Sequence, residues 1–294
     1  MKLALFTQTI MSGVFVLMTT VVNAQQTTPL PSMTDWFLST GDWHTDPQIY
    51  VREFGDGQEK VILLHGGWGG DHSGLIDAVE ELENNYRFIL YDQRGSLRSP
   101  FPDSLISYNN HIEDLELLRK ALKLDKITLA GHSMGGLLAM AYADRYPENI
   151  NRLILISPSN LKNPIPVSDE DLRNEQSEQF NKFLNRTEVT EELTKHGLTN
   201  TETALSSQEE TGKWRINFAA RMLYDVRKWS ALKGGRALYQ GKVFELTANT
   251  YPPQGWDYIE SLSLAQNPTH IIIGAHDYLD FEGRLIKSWT RNLP

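Results

Sequence analysis

The chain has 294 residues, 40% of them hydrophobic and 22% charged, which is typical of a globular protein with one large domain. Its formal net charge of −9 argues against nucleic acid or an anionic membrane as a partner. It contains no cysteine, so neither a disulfide bond nor a lipid-modified cysteine is available to it.

The N-terminus has the pattern of a secretory signal. Lys2 is the only charge before an apolar stretch that runs to Val22, and a small-x-small cleavage pattern ends at Ala24. We therefore expect residues 1–24 to be a signal peptide and Gln25 to begin the mature chain. An exported protein without disulfide bonds is more typical of a bacterial periplasm than of eukaryotic secretion. We therefore expect a periplasmic or secreted bacterial protein, with no stable membrane insertion after cleavage.

Short apolar runs alternate with helical patterns from residue 61 to 157, after a polar stretch, 25–46, that is predicted to be an irregular lead-in. This alternation predicts a mostly parallel sheet with helices on both faces. The predicted strands are Ile49–Phe54, Val61–Leu64, Tyr86–Tyr91, Ile127–Leu129 and Arg152–Ser157, and the predicted helices are Ser73–Asn84, Tyr108–Leu122 and Leu137–Tyr146.

The pattern changes after Pro158. Residues 169–210 are polar, acid-rich and helical in character, and residues 214–233 form a second, more apolar helical stretch. A strand pattern resumes at Thr269–Ile273, so the helical block is predicted to be a cap inserted into the sheet domain. The predicted organisation is a signal peptide (1–24), a core (25–159 and 256–294) and a helical cap (160–255).

The stretch Gly131-His132-Ser133-Met134-Gly135 lies between an apolar strand and a helix. Gly-x-Ser-x-Gly in this context indicates a nucleophile elbow, a turn so tight that glycine is needed on both sides of the serine. Ser133 is then exposed at the carboxyl end of the strand. The free N–H groups of the following helix favour negative charge at the same place. We therefore predict that Ser133 is a catalytic nucleophile.

A serine nucleophile needs a base and an acid, and with an elbow of this kind the acid follows a late strand. Asp277 comes three residues after Gly274 and is the first choice. The position after the preceding strand offers Pro158-Ser159-Asn160 and no carboxylate. Asp280 remains a second choice, and a helix N-cap remains an alternative role for Asp277.

Three motifs in the chain belong together: His65-Gly66-Gly67-x-Gly69-Gly70, Asp92-Gln93-Arg94-Gly95-Ser96-x-x-Ser99 and Gly131-x-Ser133-x-Gly135-Gly136. With them the chain resembles the proline iminopeptidase branch of the α/β-hydrolases, over about residues 60–160 and 269–281. The resemblance implies the α/β-hydrolase fold and a serine peptidase that releases an N-terminal residue through an acyl-enzyme, without cofactor or metal. It also implies that the N–H groups of Gly67 and Met134 form the oxyanion hole.

The chain departs from that family at several positions. Trp68 replaces a proline, Leu97 replaces a glycine, and His132 and Met134 flank the serine where the peptidases more often have Gly-Ser-Trp. An esterase or lactonase activity on the same fold therefore remains an alternative function. In the peptidases, acidic cap residues bind the free amino group of the substrate. Candidates of that type here, none of them assigned, are Glu175, Glu178, Glu191, Glu192, Glu209 and Glu210.

The eight histidines all precede Asp277, whereas the family places its triad histidine beyond the acid, after a last strand. We expect a chain that stops before its last strand and helix, with one edge of the sheet uncovered. The alternative is a pseudoenzyme or binding protein without a base. The expected partner is a small peptide or acyl substrate, and the sequence does not indicate an oligomeric state.

Overall fold

The computed structural model describes residues 32–199, 204–232, 240–265, 267–277 and 279–291. The predicted signal peptide and its cleavage site lie outside these ranges. In the described ranges, no helix has the length and apolar character needed to cross a membrane. The strands are β1 (Met33–Ser39), β2 (Gln48–Phe54), β3 (Glu59–Leu64), β4 (Tyr86–Tyr91), β5 (Ile127–His132), β6 (Ile150–Ile156), β7 (Lys162–Asn163), β8 (Trp256–Asp257) and β9 (Thr269–Ile272). The helices are α1 (Ser73–Ile76), α2 (Tyr108–Ala121), α3 (Met134–Arg145), α4 (Glu170–Leu184), α5 (Thr187–Lys195), α6 (Ser207–Met222), α7 (Gly241–Ala248), α8 (Tyr258–Ala265) and α9 (Arg284–Thr290).

Seven of the nine described strands form one sheet in the order β1-β2-β4-β3-β5-β6-β9, and β7 pairs with β8 in a separate two-stranded sheet. The five strands from β4 to β9 pair in parallel, while β1 and β2 are antiparallel to their neighbours. The prediction of a mostly parallel sheet is therefore confirmed. In a parallel sheet the carboxyl ends of the strands lie along one edge, so the loops after β3, β4, β5 and β9 come together there.

Alternate residues of the central strands pack into two apolar layers, which places helices on both faces of the sheet. Ile62 and Leu64 of β3 face the larger layer, to which α2, α3 and α8 contribute, while Val61 and Leu63 face a smaller layer under α1. Helix α3 is buried continuously from Gly135 to Ala143 because it lies in the larger layer.

Two predictions about secondary structure are wrong. The predicted irregular lead-in contains β1, which pairs with β2 although most of its side chains are exposed. Cross-strand pairs hold it, with Trp36 Nε1 donating to Glu53 at 2.9 Å and Arg52 binding Asp35 at 2.7 Å. Because apolar and polar side chains do not alternate along β1, its sequence pattern does not predict a strand.

Helix α1 is shorter than predicted because the chain turns early. A single 3₁₀ turn follows α1, and Glu81 then adopts a positive φ of 71°, which ends the helical path. The Glu83 carbonyl accepts a hydrogen bond of 2.8 Å from Asp56 N, in the turn between β2 and β3. Tertiary contact with that turn therefore outweighs local helix propensity.

Helices α4 to α6 lie between β6 and β9 in the chain, inside the predicted cap. They have a small apolar core of their own, formed by Val189, Leu198, Ile216, Ala219, Ala220 and Val226. Gln176 on α4 connects this helical block to the core, since its amide donates to Asp280 and to the Phe281 carbonyl. The residue limits assigned to the cap stay a prediction.

Candidate active site

Ser133 occupies a strained turn between β5 and α3. Its backbone has φ 52° and ψ −117°, a combination that L-residues rarely adopt, and its N–H donates to the Ile156 carbonyl at 3.1 Å. The two flanking glycines leave no room for a side chain. A Cβ on Gly131 would lie 2.3 Å from the Gly135 carbonyl oxygen, and one on Gly135 would lie 2.4 Å from the Leu64 carbonyl oxygen. The geometry is that of a nucleophile elbow.

The loop after β3 lies directly against this turn. A Cβ on Gly66 would come within 2.8 Å of the Ser133 Cβ, so the backbone that leads to Gly67 passes next to the serine. Among the described residues, neither the Gly67 N–H nor the Met134 N–H donates a loop or turn hydrogen bond. Both stay predicted oxyanion donors, placed in the two loops that border Ser133.

Ser133 opens into a cavity of about 330 Å³, called here the Ser133 cavity. Its core side is formed by His132, Ser133 and the loop after β9, which includes His276 and Asp277. Its cap side is formed by Phe183 on α4 and by four residues at and beyond the end of α6, Arg221 to Tyr224. Gly67 and Met134 do not line this cavity. Ser133 and Asp277 therefore line the same cavity.

Asp280 has a structural role, which favours Asp277 between the two candidate acids. Asp280 is buried, and its carboxylate accepts hydrogen bonds from Leu285 N at 2.9 Å and Ile286 N at 2.8 Å at the start of α9. Asp280 thus satisfies N–H groups in the first turn of α9 from outside the N-cap position, which Gly283 occupies. Asp277 instead accepts from Leu279 N at 2.8 Å and is partly exposed to the Ser133 cavity.

Two imidazoles, those of His132 and His276, line the Ser133 cavity. Burial lowers the pKa of His132, and the negative charge of Asp277 acts in the opposite direction. His276 is exposed and stacks on Phe183 with ring centroids 4.9 Å apart. In the described ranges, no residue makes a hydrogen bond with Ser133 Oγ.

A buried cluster of charged side chains joins the loops after β3 and β4, and the sequence analysis did not predict it. Asp92 accepts from His72 Nδ1 at 2.6 Å and from Arg98 at 2.9 Å, and Asp71 lies 3.8 Å from Arg98. Burial alone raises the pKa of Asp92, but the hydrogen bonds from His72 and Arg98 outweigh it and lower the pKa to about 2.

Asp71, His72 and Asp92 are close enough to one another to bind a metal ion. Arg98 already supplies a positive charge to both carboxylates, and Asp92 uses both oxygens in hydrogen bonds. A metal ion would have to displace Arg98 before it gained these ligands. The cluster is therefore interpreted as an ion-pair network that joins two loops.

Trp68, the departure from proline in the first motif, anchors the loop after β3. Its side chain is fully buried, stacks on His111 at 4.5 Å and donates through Nε1 to the Tyr251 hydroxyl at 2.7 Å. The Gly69 carbonyl accepts from Gln240 N at 2.8 Å, just before α7. The chain that follows the helical block is thereby fixed to the predicted oxyanion loop.

None of the six candidate cap carboxylates lines the Ser133 cavity. Glu175 pairs with Arg284 at 2.8 Å, Glu192 accepts from Trp229 at 3.0 Å inside the cap, and Glu209 caps the start of α6 through Ser206. The other three, Glu178, Glu191 and Glu210, are exposed.

Residues 60–294 match the family model of the alpha/beta hydrolase fold. Among similar proteins, a proline iminopeptidase of Lactobacillus acidophilus is 30% identical over 251 residues, which cover 78% of this chain and 79% of the relative. One from Lactobacillus helveticus is 31% identical over 259 residues, with the same coverage of 78% and 79%. A shorter match, to a proline iminopeptidase of Saccharolobus solfataricus, is 41% identical over 101 residues and covers 33% of each chain.

Solved structures with different activities share the fold. An esterase from Exiguobacterium antarcticum superposes with a TM-score of 0.55 at 18% identity and covers 88% of each chain. A bromoperoxidase from Bacillus anthracis superposes with a TM-score of 0.54 at 19% identity, over 87% of this chain and 88% of the other. At these identities the likeness shows the fold alone.

Proposed function

Since this chain belongs to the α/β hydrolase fold family and is similar to proline iminopeptidases, we propose that it is a serine hydrolase with Ser133 as nucleophile. The observation that carries the proposal is the strained elbow that presents Ser133 to a cavity shared with Asp277. A strained, partly exposed serine that shares a cavity with a carboxylate supplies two of the groups that acyl transfer uses, the nucleophile and the acid.

The proposed reaction has two halves. Ser133 Oγ gives its proton to a base and attacks the substrate carbonyl, whose oxygen becomes negative and accepts hydrogen bonds from the Gly67 and Met134 N–H groups. The leaving group takes a proton as the bond to it breaks, and an acyl-enzyme remains on Ser133. Water then attacks this ester and releases the acid. Asp277 is proposed as the acid that orients and stabilises the base.

The proposed substrate is a peptide whose N-terminal residue becomes the acyl group. Support comes from the relatives, which are named proline iminopeptidases and cover more than three quarters of this chain. An ester hydrolase is the second candidate. Support for it comes from the Ser133 cavity, since none of the six candidate cap carboxylates lines it to bind a substrate ammonium group.

The test of the nucleophile is covalent labelling of the purified protein by a fluorophosphonate, with the modified residue located by mass spectrometry. We expect the label on Ser133, and we expect Ser133→Ala to lose label and hydrolysis by about five to six powers of ten. Ser159→Ala, three residues beyond the end of β6, is the matched control. Hydrolysis by Ser133→Ala within tenfold of the unsubstituted protein would remove Ser133 from the mechanism.

A substrate panel separates the two candidates. N-terminal aminoacyl naphthylamides, with proline first, are compared with short-chain naphthyl esters. We expect the ratio of kcat/KM to favour the prolyl amide, whereas turnover of esters alone would favour the second candidate.

We also propose that the protein is exported, with residues 1–24 removed. Support comes from the charge and apolar pattern of that segment. The mass of the protein recovered from a bacterial periplasm tests this, and a periplasmic form that retains Met1 contradicts it.

A further inference from the structure

The cap side of the Ser133 cavity carries positive charge. Arg221, in the last turn of α6, lines the cavity, and among the described residues its guanidinium has neither an ion pair nor a hydrogen-bond partner. The chain is acidic overall, with a formal net charge of −9. Arg221 therefore adds a cation to the cavity of the proposed nucleophile in a chain that is otherwise acidic.

A second arginine fixes the segment that carries Arg221. Arg186 lies 3.9 Å from the centre of the Phe183 ring and donates to four backbone carbonyls, those of Phe183, Ala220, Leu223 and Tyr224. Both ends of the short segment 220–224 are thereby held. Because Arg186 binds only carbonyls here, its charge also remains without a carboxylate partner within the described ranges.

The remaining cap side of the cavity is largely apolar. Phe183, Leu223 and Tyr224 line it next to Arg221. Arg221 itself is exposed, so solvent screens its interaction with an anion and a modest contribution to binding is expected. Arginine presents paired N–H donors that match the two oxygens of a carboxylate. Asp277 lines the opposite, core side, where it is the proposed triad acid.

We infer that Arg221 binds a carboxylate of the substrate, so that the preferred substrates are short peptides with a free C-terminal carboxylate. The inference rests on the proposed function, because it extends the substrate of the same cavity. Arg221 repels an ammonium group, so the carboxyl end of the peptide, and not its amino end, faces α6. The cavity volume of about 330 Å³ is near the lower limit for small-molecule sites, which favours peptides of two or three residues.

The experiment measures binding without turnover. Ser133→Ala protein is titrated calorimetrically with a dipeptide acid that begins with proline and with its C-terminal amide. We expect the acid to bind about fivefold more tightly than the amide. The added substitution Arg221→Gln should bring this ratio close to one, and Arg221→Lys should retain part of it. Higher salt should reduce the ratio, because screening weakens the ion pair.

Arg173→Gln is the matched control, because Arg173 is an exposed cap arginine on α4 that does not line the cavity. It should leave the ratio unchanged. A ratio near one before substitution, a ratio that survives Arg221→Gln, or no measurable binding of either dipeptide overturns the inference.

A second ligand pair, a dicarboxylic acid monoester and its diester, tests whether the carboxylate that Arg221 binds belongs to a peptide or to an ester substrate. Discrimination of the dipeptide pair supports the inference, and discrimination of the ester pair alone overturns the assignment to peptides. Failure of the proposed function is seen separately, as absence of fluorophosphonate label on Ser133 in the protein with an intact serine.

Discussion

The two sides of the Ser133 cavity are built differently. Behind the core side, the loops after β3 and β4 are largely buried and are joined by hydrogen bonds between charged groups, as in the contact of Asp92 with His72 and Arg98, although the loop after β9 that lines the cavity is exposed at His276. On the cap side, Arg221, Met222 and Tyr224 are exposed, and Tyr224 keeps 75% of its surface accessible. The contrast suggests that the reaction geometry resides in the core and the choice of substrate in the cap.

This difference has a physical basis. The core loops converge on a strained serine, and strain persists only where the surrounding structure holds it. The cap wall is more exposed, and its contacts with the core include the partly exposed rings of Phe183 and Tyr224 on His276, so side chains there should change at less cost in stability. Substitutions in the core loops should therefore mainly lower the free energy of unfolding. Substitutions in the cap wall should mainly change the affinity for substrate.

Gly135→Ala, on the core side, should lower the stability of the protein more than the other substitutions proposed below. Its new Cβ would lie 2.4 Å and 2.6 Å from the backbone oxygens of Leu64 and His65, which cannot move independently of β3. We expect the free energy of unfolding to fall by more than about 3 kcal/mol, measured by urea denaturation. Gly74→Ala in α1 is the control, since no atom lies within 4 Å of that Cβ, and it should gain up to about 1 kcal/mol. Similar stability of the two variants would contradict the packing argument.

The buried Asp92 predicts acid sensitivity of the core side. Its pKa is lowered from 3.8 to about 2 in the folded protein, so its carboxylate stabilises the fold above about pH 4. That contribution, about 2 kcal/mol, is lost as the pH falls from about 4 to about 2. Asp92→Asn should be less stable at neutral pH and should lack this part of the pH dependence, measured by urea unfolding at each pH. Parallel pH profiles for the two proteins would show that Asp92 does not titrate with folding.

Tyr251→Phe tests the anchor between the chain after the helical block and the predicted oxyanion loop. It removes the acceptor at 2.7 Å from Trp68 Nε1 and leaves a buried N–H without a partner. We expect a loss of about 1 to 2 kcal/mol in the free energy of unfolding, with slower fluorophosphonate labelling of Ser133. Tyr86→Phe is the control, because within the described ranges the Tyr86 hydroxyl makes no hydrogen bond. Equal effects of the two substitutions would mean that the Trp68 hydrogen bond stabilises nothing.

Met222→Gln should have the smallest effect on stability and sharpen the cap side of the comparison. Met222 lines the Ser133 cavity with 47% of its surface exposed. We expect unfolding within about 0.5 kcal/mol of the unsubstituted protein, together with altered relative affinities for acyl substrates. A stability loss as large as that of Tyr251→Phe would show that the cap wall also carries part of the fold.

The sequence predicted the core side better than the cap side. The Gly-x-Ser-x-Gly motif and the apolar runs of β3 to β6 are local signals, because a strand buried on both faces needs continuous apolar residues and a tight elbow needs glycine. Asp71 and His72 were missed because neither belongs to a motif, and β1 was missed because most of its side chains are exposed and show no apolar alternation.

The sequence by itself determined the parallel sheet, the position of Ser133 at the end of a strand, and Asp277 as the first choice of acid. Only the tertiary structure showed that Asp280 meets the start of α9 and that Asp277 lines the cavity, since this depends on the packing of the chain after β9. It also decided that Arg221, and none of the six candidate glutamates, lines the Ser133 cavity. Helical periodicity predicts which residues share a face, but the face that turns towards the serine depends on how the cap packs against the core.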